Sequence, residues 1–77
     1  MSSNPHVVNI CLGVEQQMFR FSPKKLHDLY AIQNILFIEL IVDDTFIVPY
    51  EFAYLDIDDL LQDFKAIEKQ LPERLTK

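Results

Sequence analysis

The 77-residue chain is poor in several things, and each shortage excludes a class of protein. Its one glycine, Gly13, leaves no glycine-rich loop to cradle a phosphate. Its one cysteine, Cys11, rules out an internal disulfide and a cysteine-based zinc site, and fits a reducing compartment. No apolar run approaches the roughly 18 residues that a membrane-spanning helix needs. The MSSNPH start has no signal-peptide pattern, so the sequence predicts a cytoplasmic protein with no membrane partner. Repeats and low-complexity segments are also missing. The most informative shortage is of positive charge: between Lys25 and Lys65 there is no lysine or arginine.

That interval carries Asp28, Glu39, Asp43, Asp44, Glu51, Asp56, Asp58, Asp59 and Asp63. Basic residues are confined to Arg20, Lys24 and Lys25 on one side and Lys65, Lys69, Arg74 and Lys77 on the other. With a net charge of −5, the middle of the chain must present a negative surface, which repels nucleic acid and attracts basic partners.

What is abundant is apolar. Such residues make up 49% of the sequence, six phenylalanines and three tyrosines among them, which excludes a disordered chain. The length allows one domain, placed at residues 6–72 between a disordered start (1–5) and a frayed tail (73–77). A domain this small buries only about 60% of its unfolded surface, so it depends on tight packing or on a partner.

Alternation predicts the strands. Val8, Ile10 and Leu12 share one face, Gly13 marks a turn, and Gln17 to Phe21 follows with Phe19 and Phe21 inward. Leu36, Ile38, Leu40 and Val42 form one face of a third strand, and Phe46, Val48, Tyr50 and Phe52 one face of a fourth. A three-residue loop, Asp43-Asp44-Thr45, pairs Val42 with Phe46, Leu40 with Val48, Ile38 with Tyr50 and Leu36 with Phe52. A two-residue loop would slip the pairing by one and turn the aromatics to the other side. The reservation is β-branched Thr45, which takes a left-handed conformation poorly at the end of such a loop. Pro49 fits only if its strand is an edge.

Two helices are expected. Ser22-Pro23 reads as a start, with Leu26, Leu29, Tyr30 and Gln33 as the inner face of about ten residues. Lys24 and Lys25 in its first turn oppose the helix dipole. The rival reading is one long helix from Pro23 to Val42, which would make a small all-α bundle. Against it stand the branched Ile32, Ile35, Ile38, Ile41 and Val42 and the Gln33-Asn34 pause. The second helix has Asp56 as N-cap, Asp58 and Asp59 in its first turn, and Leu55 stapled to Leu60. Its stripe is Ile57, Leu60, Leu61, Phe64, Ile67 and Leu71, and Pro72 closes it. The expected fold is thus a two-layer α+β domain in ββαββα order, a four-strand, mostly antiparallel sheet packed by two helices.

Under the helical reading, the stretch from FIEL to DDLL, with Pro49 between, resembles an acyl carrier protein. That family attaches its prosthetic group to the serine of an Asp-Ser-Leu motif, and the only serines here are Ser2, Ser3 and Ser22. A carrier function is therefore not expected.

No catalytic constellation is evident. His6 lies in the polar start, His27 is a surface histidine beside Asp28, and Cys11 sits on a strand without a cation to activate it. Asp56, Asp58 and Asp59 lack the glycine and terminal glutamate of a calcium loop, and capping accounts for them. We expect a non-enzyme with no cofactor or metal.

Function then rests on surfaces. The leading expectation is a regulator of viral, plasmid or immunity type, docking on a basic protein such as a polymerase or nuclease. Its acidic face would be Asp43, Asp44, Glu51, Asp56, Asp58, Asp59 and Asp63, with Tyr50 and Tyr54 as aromatic anchors. The alternative is a structural subunit that self-associates, as a homodimer, or completes a complex through its apolar hairpin. A secondary basic patch of Arg20, Lys24, Lys25 and His27 is too small against the net charge to give firm nucleic-acid binding.

Overall fold

Loop parity decides which side each strand of this protein fills. The computed structural model describes residues 7–71; the expected disordered start at 1–5, the tail at 73–77, His6 and the closing Pro72 lie outside the described residues. Strands β1 (Val8–Leu12) and β2 (Gln17–Phe21) form one antiparallel hairpin. Strands β3 (Leu26–Ile32), β4 (Ile35–Val42) and β5 (Phe46–Ala53) form a second antiparallel sheet in that order. One helix, α1 (Ile57–Gln70), follows them among the described residues.

The fold is α+β, but two expectations are corrected. Among the described residues there are two sheets, of two and three strands, in place of one four-strand sheet, and one α-helix in place of two. The segment read as the first helix begins with a single 3-10 turn over Pro23–Lys25, where Ser22 makes no side-chain cap. It then continues as β3, so the long-helix and all-α readings fall as well. The physical reason is local. Nothing acidic offsets Lys24 and Lys25 in the first turn, whereas a strand here completes a third row against β4. An irregularity between Leu26 and Asp28 inserts His27 as an extra residue, so Leu26 and Leu29 fall on the same face three positions apart. That spacing imitates a helix.

The β4–β5 hairpin has the predicted register: Val42 opposite Phe46, Leu40 opposite Val48, Ile38 opposite Tyr50 and Leu36 opposite Phe52. Thr45 is spared the strained conformation because Asp43 and Asp44 take it instead, at φ 58° and 66°. Aspartate tolerates the left-handed region better than a β-branched residue. Pro49 does lie on an edge strand, since β5 is the last of its sheet.

One face of the three-stranded sheet is covered by the first hairpin and by α1. The buried core joins Val8, Leu12 and Phe21 with Leu36, Ile38, Phe52 and Tyr54, and with Leu60 and Ile67 of the helix. Phe19 bridges the layers, its ring 5.1 Å from both Tyr50 and Phe52. Asp56 caps α1 as expected, its carboxylate accepting from the Asp58 amide at 3.0 Å. The Leu55 staple does not form: Tyr54 turns inward and Leu55 is 87% exposed. The apolar stripe of α1 is narrower than expected too, with Ile57 and Leu61 left exposed.

Candidate functional site

The fold distributes eight of the nine carboxylates of the cation-free interval over three places, and the ninth, Asp63, lies further along α1. Asp43 and Asp44 form the tip of the β4–β5 hairpin. Asp56, Asp58 and Asp59 crowd the first turn of α1, beyond the other end of β5. A strand of that length separates the two groups by about 25 Å. Glu51 belongs to neither group, because it lies on the outer face of the sheet opposite Phe37.

The predicted aromatic anchors part company as well. Tyr54 is a core residue, 4% exposed, and its hydroxyl donates to Asp63 Oδ2 at 2.8 Å. Burial is the main reason its phenol ionises well above the ordinary range; the Gly13 amide pulls it back, while the bond to Asp63 and the charges of Asp63 and Asp59 push it up. Tyr50 stands at the rim of the covered face, against Phe19. A cleft of about 380 Å³ opens beside Tyr54, lined by Val14, Gln16, Leu55, Asp59 and Asp63 among others. Among the described residues its lining contains carboxylates and amides but no histidine, cysteine or serine.

The basic candidates Arg20, Lys24, Lys25 and His27 are all exposed, along the path from β2 into β3. Cys11 is half-buried on the outward side of β1. Among the described residues no group of three His, Cys, Asp or Glu side chains is placed to hold a metal ion.

A surface that the sequence reading missed lies on the outer side of the three-stranded sheet. Register places it in rows: Ile32, Ile35 and Ala53; then Tyr30, Phe37 and Glu51; then Asp28, Glu39 and Pro49; then Ile41 and Ile47. Tyr30 and Phe37 stack with ring centroids 5.0 Å apart and planes 10° from parallel. The Tyr30 hydroxyl donates to Glu39 Oε2 at 2.8 Å. That bond is the main cause of its raised phenol pKa, followed by burial and the charges of Glu39, Asp28 and Glu51. All three carboxylates therefore act on one ring. The core draws no member from these rows: inward Leu36 and Ile38 are fully buried, whereas outward Ile35, Phe37, Glu39 and Ile41 are half-buried.

The fold and this surface define a small α+β protein with two antiparallel sheets and one sheet face bearing aromatics and carboxylates. Comparison with known protein families, curated proteins and solved structures finds no match for the chain.

Proposed function

We propose that this protein is a small acidic regulator that docks on a basic surface of a larger macromolecular target and modulates it. A nucleic-acid-handling enzyme, such as a polymerase or nuclease, is a target class whose surface suits an acidic domain, because it carries cations meant for phosphates. The observation that carries this reading is charge placement: the whole three-stranded sheet after Leu26, its hairpin tip and the first turn of α1 contain carboxylates and no lysine or arginine. Such a field speeds encounter with a basic partner and rejects acidic ones.

A second reading has its own observation. The far half of the β4–β5 hairpin leaves Phe46 62% and Ile47 41% exposed, apolar surface that a structural subunit would bury against a copy of itself or a larger complex.

Capture of partners from a nuclease-treated lysate of the source cell, eluted in steps of rising salt, separates the two. A basic protein released early by salt is the expected result, since charge attraction is screened over about 10 Å at 0.1 M. A partner that withstands high salt, or recovery of the protein alone, contradicts the acidic-regulator reading and favours the apolar hairpin.

A further inference from the structure

We infer that the outer face of the three-stranded sheet is the docking surface, and that it recognises an arginine-bearing basic segment of a protein partner. This rests on the acidic-regulator reading and assigns it a place.

Three features of the face converge on that chemistry. The Tyr30–Phe37 stack offers aromatic surface over which a planar guanidinium can lie. Glu39, Glu51 and Asp28 surround that stack, and carboxylates are the natural bidentate partners of the same group. Asp28 and Glu39 are direct cross-strand neighbours, an arrangement that destabilises a sheet by like-charge repulsion. Strands β3, β4 and β5 contain no lysine or arginine to offset it, so a cation brought by a partner would relieve the repulsion.

A second copy of the chain does not fit this face. A two-fold pairing would press one carboxylate-bearing face, cation-free along its strands, against another of the same kind. Edge-to-edge pairing is discouraged too, by the irregularity at His27 in β3 and by Pro49 in β5. Nucleic acid is repelled by the same charges.

The test is a backbone-amide NMR titration of the full chain with an alternating arginine–glycine peptide, and with its lysine–glycine counterpart. Expected are shifts centred on residues 28–32, 37–39 and 49–51, with the arginine peptide binding about three- to fivefold tighter. Glu39→Gln and Glu51→Gln should each weaken it by about two- to fivefold, and Tyr30→Leu should abolish the preference for arginine. Phe37→Ala adds to the set where its spectrum remains dispersed; the glutamine variants serve where it does not. Shifts confined to the hairpin tip at Asp43 and Asp44, or to the first turn of α1, overturn the sheet-face assignment and leave the acidic-regulator reading standing. Equal binding of both peptides at the face overturns the arginine preference. No binding of either peptide, or concentration-dependent shifts of the face without peptide, overturns both.

Discussion

Gly13 holds φ at +83°, and a Cβ built there would meet Phe52 and Ala53 only at ordinary contact distance, 3.5 Å. Backbone conformation, not space, is what demands glycine. Gly13→Ala should therefore cost about 1 kcal/mol, read from the denaturant midpoint of unfolding. A loss of several kcal/mol would mean that the turn is held by packing instead. Tyr54 supplies a second test at this scale. Its phenol is raised in the folded state, so the folded form keeps a proton that the unfolded form releases near pH 10. The stabilisation is complete below that pH and is lost as pH rises above it. Thermal unfolding followed from pH 8 to 11 should show a decline above about pH 10 that Tyr54→Phe flattens. An equally steep decline in the variant would rule out Tyr54 as its source.

Within α1, burial separates neighbours that look alike in sequence. Leu60 is fully buried and Leu61 is 48% exposed, so Leu60→Ala should cost about 2–5 kcal/mol and Leu61→Ala less than about 1. Equal losses would contradict the orientation of the helix. This helix, its Asp56 cap and the β4–β5 register were legible because each rests on a short-range rule: a cap, or a parity set by one loop. Strand β3 was not. The extra residue at His27 converts a period of two into a spacing of three, and Ser22-Pro23 adds a misleading start signal. Reading β3 as a helix also hid the candidate site. Once Tyr30 is taken as part of a strand, it faces Phe37, and Glu39 and Glu51 follow by register; as part of a helix it belonged to a core. The carboxylates were visible in sequence as a block, but their division among tip, sheet face and helix start depends on tertiary pairing.

At the scale of the whole molecule, a chain of 77 residues spends its helix and its smaller hairpin on one face of the larger sheet. Only a few kcal/mol of net stability are available at this size. Asp28 facing Glu39 draws on that margin, and a fold selected for stability alone would not place them together. Asp28→Asn should raise stability by a few tenths of a kcal/mol while weakening binding of basic partners. Thermal unfolding and peptide affinity measured on the same preparation check both halves; a variant that binds as well as the native chain would make the pair a neutral surface feature.

The most direct test of the central claim is a parallel capture from nuclease-treated lysate. The native chain is compared with the double variant Glu39→Lys, Glu51→Lys, after both are shown to be folded. The expected result is a basic protein on the native chain, released by moderate salt and absent from the variant. The same partner retained equally by both, or resistant to salt on both, would contradict it.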